Sequence, residues 1–131
     1  MSLPIFHMVD GAPTPVAPYS HVVEADGWVF LAGQIPSDLD FAPEALPDGI
    51  EAQTHKVMKN LTTILNGVGL GLENVVSARV FLTHFDEDYQ SMDAVYASYF
   101  PVVGRPARTS VGVTGLASAA RVEIDFIARR P

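Results

Sequence analysis

Two strand-like runs near the end of the chain limit what it can build. Arg105-Pro106-Ala107-Arg108-Thr109-Ser110-Val111 is followed, after a short Gly/Ala/Ser loop, by Arg121-Val122-Glu123-Ile124-Asp125-Phe126-Ile127-Ala128. Read with a period of two, Thr109, Val111 and Val113 share one face of the first run, with Arg108 and Ser110 on the other. In the second run Val122, Ile124 and Phe126 form the apolar face, with Glu123 and Asp125 opposite. If both apolar faces meet one core, Arg108 and Glu123 project from the same polar face of one sheet. An arginine fork beside a carboxylate there suits a small ligand carrying its own carboxylate.

The rest of the chain supplies the partners for these strands. Ile5 to Val9 reads as a short strand, and Pro13, Pro15 and Pro18 make the stretch from Asp10 to Pro18 a loop. Ser20–Glu24 and Trp28–Ala32 flank Asp26-Gly27, a two-residue hairpin signal. Pro36, Pro43 and Pro47 mark a long connection, mobile or ligand-covering. Asp48-Gly49-Ile50-Glu51 has the form of a capping box with Asp in the capping place. Behind it Val57, Leu61, Ile64 and Leu65 recur at helical spacing, predicting a helix from about Glu51 to Asn66. Gly67-Val68-Gly69-Leu70-Gly71 lacks the Lys-Ser/Thr of a phosphate loop and reads as a helix end and turn. Asn74 to Thr83 is a long strand. Asp86 then caps a second helix with a Tyr89, Met92, Tyr96, Tyr99 stripe, ended by Pro101. The order β-β-β-α-β-α-β-β predicts an α+β fold, a mixed six-stranded sheet with two helices on one face, in a single domain spanning residues 1–131.

Two helices cover only one face of such a sheet. The face expected to bear Arg79, Phe81, Arg108, Glu123, Asp125 and Ile127 must meet water or another subunit, and Phe81 and Ile127 favour the subunit. A homo-oligomer with sheets facing one another follows. A net charge of −7 counts against nucleic-acid binding, which needs positive surface to displace counterions. No apolar run approaches the ~20 residues of a membrane span. The start of the chain shows no signal-peptide pattern, and the absence of cysteine excludes disulfides and thiolate chemistry, as suits the cytoplasm.

Arg108 carries two readings. It is a surface or interface arginine paired with Glu123 or Asp125, or its fork is left to take a carboxylate. Glu123 is likewise a general base or Arg108's structural partner. Tyr19 is core or a gate over a ligand. His7, His21, His55 and His84 are scattered, with no metal-ligand spacing on one helix, and read as structural. Ser20, Ser77 and Ser110 lack the context of a nucleophilic serine.

Several segments resemble the YjgF/Rid family, also labelled endoribonuclease L-PSP or translation inhibitor. They are Ala17-Pro18-Tyr19-Ser20, Ala32-Gly33-Gln34-Ile35-Pro36, Glu51-Ala52-Gln53-Thr54, Val80-Phe81-Leu82-Thr83, Pro106-Ala107-Arg108-Thr109 and Val122 to Ala128, in the family's order from about residue 17 to 130. The resemblance implies a chorismate-mutase-like fold assembled as a homotrimer, with ligand clefts between subunits. It also implies hydrolytic deamination of reactive enamine and 2-imino acids to 2-keto acids and ammonia, without metal or organic cofactor. The matching positions make Arg108 the carboxylate anchor and Glu123 the group that orients water. Tyr19, the Gly33 backbone and Ser110 border the ligand. The alternatives are an RNA-cleaving translation inhibitor and a non-catalytic binder of a small carboxylate. The chain departs from the family pattern at Ala32 (often Ser), Asp93 (often Asn) and Ser110 (often Cys), and in a longer segment from Asp38 to Asp48. These changes bear on the substrate.

Overall fold

A computed structural model describes residues 3–38 and 46–131. Strands β1 (Ile5–His7), β2 (Val22–Ala25), β3 (Trp28–Gln34), β4 (Val75–Leu82), β5 (Ala107–Gly112) and β6 (Val122–Arg129) form one sheet, joined by helices α1 (Ile50–Gly67) and α2 (Phe85–Ala97). The order across the sheet is β1-β2-β3-β6-β4-β5, antiparallel throughout except for the parallel pair β4–β5. The predicted order of elements and the mixed sheet with two helices are those observed. Part of the long connection expected to cover a ligand, residues 39–45, lies outside the described residues.

Local chemistry accounts for the elements. Asp26 and Gly27 take φ of 52° and 83°, the left-handed pair that joins β2 to β3 in a tight hairpin. Helix α1 buries Val57, Met58, Leu61, Ile64 and Leu65 against a sheet face of Val22, Val29, Leu31, Val80, Leu82, Ile124 and Phe126. The Asp48 capping box does not form. Gly49 occupies the cap position with φ 89°, and no side chain caps the helix. Gln53 instead spends its side chain on the Pro47 carbonyl (3.0 Å) and on the Arg121 backbone N–H (2.9 Å), tying the helix start to β6. Helix α2 begins one residue before Asp86, so Asp86 is not its cap; His84 takes that position without a side-chain bond, and Asp86, Glu87 and Asp88 place negative charge in the first turn. Asp88 is buried and accepts from both Nε (2.7 Å) and Nη2 (2.9 Å) of Arg121, locking α2 to the start of β6.

The face of the sheet away from the helices carries Phe30, Ser77, Arg79, Phe81, Glu123, Asp125 and Ile127, set by their register with one another. Phe6, Trp28, Phe30 and Val111 are exposed at 66%, 44%, 45% and 39%. An apolar surface of this kind on a sheet face is costly to leave in water.

Arg108 does not belong to that face. In register it pairs with Ala78, whose side chain is buried on the helix side, while Thr109 pairs with exposed Arg79. Arg108 and Ser110 therefore point toward α2, and Thr109 and Val111 point outward. The expectation that Arg108 and Glu123 share a face is corrected here. An edge strand's apolar side need not meet the core, because its orientation follows its neighbour, and α2 supplies polar partners for the arginine.

Candidate active site

A cleft of about 290 Å³ opens where β3 irregularly pairs with β6. That is near the lower end of small-ligand sites. Leu31 pairs with Phe126 and Gln34 with Ile124, so β3 has one extra residue in this interval, a bulge at Ala32 and Gly33. The bulge brings the Gly33 backbone against Glu123, so close that a Cβ on residue 33 would overlap the Glu123 carboxylate. Any side chain at residue 33 would therefore push the Glu123 carboxylate from its present place. Tyr19, Ala32, Gly33, Ile35, Ala117 and Glu123 are among the residues that line the cleft.

Two buried side chains brace the cleft walls. His21 accepts the Val9 N–H at Nδ1 (2.8 Å) and contacts the Pro13 carbonyl through Nε2 (2.7 Å), which assigns the Nε2–H tautomer. Both ring nitrogens are thereby committed to the loop bearing Pro13, consistent with the structural reading of this histidine. Asn60 donates from Nδ2 to the carbonyls of Ile35 (3.2 Å) and Ser37 (3.0 Å), fixing the opposite wall from within α1.

The two carboxylates of β6 have different fates. Asp125 takes Arg79 in a forked pair, Nε at 3.0 Å and Nη2 at 2.6 Å. Glu123 has no hydrogen-bond partner among the described residues. Burial first, and then the nearby Asp125 charge, raise its pKa above the ordinary carboxylate value, while Arg79 pulls weakly the other way. A half-buried carboxyl that gives up a proton less readily than usual, facing an open cleft, is suited to handling water.

Among the described residues no arginine lines the cleft. Arg108 stands on the sheet edge beyond β4, on the helix side. Its Nη2 donates to the Tyr89 hydroxyl (2.8 Å) and pairs with Asp93 Oδ1 (2.8 Å), and its guanidinium lies 4.8 Å from the centre of the Tyr96 ring. Its Nε and Nη1 have no partner among the described residues. The Tyr96 hydroxyl and Ser110 Oγ are buried with none either. Buried polar atoms without partners are uncommon in folded proteins. Of the predicted site residues, one chain thus brings together Tyr19, Gly33 and Glu123, and holds Arg108 and Ser110 apart from them. Neither Glu123 nor Asp125 is the partner of Arg108.

Reading the sequence missed Asn60, Asp93 and the bracing role of His21. Asn60 was detectable in principle, as a polar residue inside the Val57, Leu61, Ile64 stripe. Asp93 was seen only as a departure from a pattern, since nothing local links it to β5. Among the described residues, no three His, Asp or Glu side chains gather as metal ligands, and no helix is long and apolar enough to cross a membrane.

Known proteins supply the remaining comparison. Residues 9–130 match the family described as Endoribonuclease L-PSP. A RutC family protein of Synechocystis is 38% identical over 120 residues, 92% of each chain. Reactive Intermediate Deaminase A, chloroplastic, of Arabidopsis thaliana is 35% identical over 120 residues, covering 89% of this chain and 61% of that one. The crystal structure of yeast YEO7 superposes with a TM-score of 0.91 at 28% identity, covering 98% of this chain and 100% of its own.

Proposed function

The chain belongs to the endoribonuclease L-PSP family, the YjgF/Rid family its sequence resembles, and we propose that it hydrolyses reactive 2-imino acids to 2-keto acids and ammonia. The observation that carries this reading is the separation of two complementary halves. Among the described residues, a cleft holds Glu123 without a hydrogen-bond partner, its proton affinity raised, and no cation. An arginine with Nε and Nη1 unspent stands on the opposite side of the same sheet. One chain cannot join them, so a second copy supplies Arg108 to the Glu123 cleft of the first. The exposed aromatic face favours association with the sheets turned inward, and a homotrimer closes such contacts without leaving an open end.

In the assembled site an open N–H of Arg108, at Nε or Nη1, takes the substrate carboxylate and fixes C2 over Glu123. Glu123 accepts a proton as water attacks C2 of the imine. The tetrahedral adduct takes a proton on nitrogen, the C–N bond breaks, and ammonia and the 2-keto acid leave. One imine and one water are consumed for each keto acid and ammonia. General-base help of ~10²–10⁴-fold is enough for a reaction that also proceeds unaided. The Arabidopsis relative's name supports this chemistry, and an acidic, cysteine-free chain fits a cytoplasmic setting.

The test is keto-acid formation from imines generated in situ. Arg108→Ala is expected to abolish acceleration while light scattering shows the wild-type assembly. A variant as fast as wild type, or a wild type no faster than buffer, overturns the reading. The family description favours a second reading, cleavage of RNA. RNA binding by this acidic chain would weaken steeply with salt, whereas a small acid on one arginine responds mildly.

A further inference from the structure

The strongest unexplained feature is the company Arg108 keeps. An anchor for a simple monoanion is best left with its positive charge unmatched. Here Asp93 Oδ1 stands 2.8 Å from Arg108 Nη2, so the charge is matched from within the chain. The pair is held in place. Tyr89 bonds the same nitrogen and Tyr96 lies beneath the guanidinium. The Arg108 side chain is 17% exposed and that of Asp93 47%, and the second carboxylate oxygen of Asp93, Oδ2, is not the one that meets Nη2. No other partner holds that oxygen among the described residues.

We propose that Arg108 and Asp93 together form a receptor for zwitterions, carboxylates with a cationic nitrogen on the adjacent carbon, and that Asp93 is the specificity-determining residue. The inference rests on the reading of Arg108 as carboxylate anchor and deepens it. The ligand carboxylate accepts from one of the open N–H groups of Arg108, at Nε or Nη1, and the neighbouring N–H⁺ faces Asp93 Oδ2. A protonated 2-imino acid has this arrangement. A 2-keto acid has the carboxylate without the cation, so it adds a negative charge beside Asp93 with nothing to offset it. The site thus retains the iminium substrate and sheds the keto-acid product. Specificity arises here from repulsion of the wrong ligand as much as from attraction of the right one.

Two stable probes isolate the cation. L-proline has a ring ammonium next to its carboxylate, and (S)-tetrahydrofuran-2-carboxylate replaces that ammonium with an ether oxygen. Calorimetric titration of the assembled wild-type protein is expected to show proline binding roughly 2- to 5-fold tighter, the range of a half-exposed charge pair. Asp93→Asn should erase that preference and bind the ether more tightly than wild type does. A wild type that binds the ether as well as proline overturns the proposal, as does an unchanged ratio in Asp93→Asn. Arg108→Ala separates the two ideas. If it binds the probes as wild type does, or if wild type binds neither, the anchor reading itself falls. If binding needs Arg108 but ignores Asp93, only the zwitterion receptor falls.

Discussion

Asn60 offers the sharpest test of how the cleft is built, because its side chain spends its amide on two carbonyls of one wall. Asn60 and Ser37 are only 6% and 4% exposed, so the Ser37 carbonyl has little water to turn to, while Ile35 is half-buried. Asn60→Ala removes both donors. A buried hydrogen bond contributes about 1 kcal/mol net, and an orphaned buried acceptor costs about 1–3 kcal/mol. The wall relaxes partly toward solvent, which places the total at about 2–3 kcal/mol. Unfolding entropy is ~2.1 cal/mol/K per residue, so over 131 residues that loss lowers the melting temperature by roughly 7–11 °C.

Asn60→Asp distinguishes donation from mere filling of space. It keeps the shape but turns an acceptor oxygen toward two carbonyls, with the added cost of a buried charge. If the amide acts as donor, stability falls from wild type to Ala to Asp. Melting is followed by circular dichroism at one fixed protein concentration, since association shifts the midpoint. In the imine assay both variants should raise KM, because Ile35 and Ser37 line the cleft. An Asp variant as stable as wild type, with Ala the weaker of the two, would refute the argument.

Glu123 must be ionised to accept a proton, so activity should rise with pH through a titration lying above the ordinary glutamate range. Glu123→Gln should lose that limb and ~10²–10⁴ of the rate; a pH profile shared by both proteins would remove Glu123 from the chemistry. Glu24 behaves oppositely. Its bond from Arg130, aided by His7 and opposed by partial burial, lowers its pKa from 4.5 to about 2. A lowered carboxylate stabilises the fold above its unfolded pKa, so the benefit is full above pH 4.5 and is lost as pH falls through about 2. Glu24→Gln should therefore be less stable than wild type at neutral pH and converge with it as pH falls below about 2, as read from denaturant midpoints. A gap that persists in acid would place the cause elsewhere.

What was legible in the sequence was whatever a short window contains. Asp26-Gly27 specifies its own turn, and Val57, Leu61, Ile64 and Leu65 specify a helix face without help from the rest of the chain. The Glu123 half of the site was legible for the same reason, since Val122, Ile124 and Phe126 bury themselves and so turn Glu123 to the opposite side. The helix start misled because Asp48 had a competitor. Gly49 with φ 89° takes the cap position, and Gln53 reaches back to the Pro47 carbonyl, which a capping pattern does not record.

The orientation of β5 was beyond any local rule, and its reason bears on function. Thr109 and Val111 alternate as a buried strand would, yet both are exposed, and Arg108 is the inward residue. The strand lies at the sheet edge, and β4, its one neighbour among the described residues, sets its facing in parallel register. Inward here means toward α2, where Tyr89, Asp93 and Tyr96 hold the guanidinium by a hydrogen bond, an ion pair and a ring face. Those three residues lie in a different helix from the strand they decide. The same facing keeps Arg108 from Glu123 within one chain, because β4 separates their strands and the sheet itself separates their side chains. A lone chain with this geometry can hold a water-handling carboxylate or a carboxylate anchor at a given place, but not both. If the two act on one substrate, catalysis must be lost when the assembly is dissociated, even where each chain remains folded. That dependence follows from the register of β5 rather than from any property of the cleft.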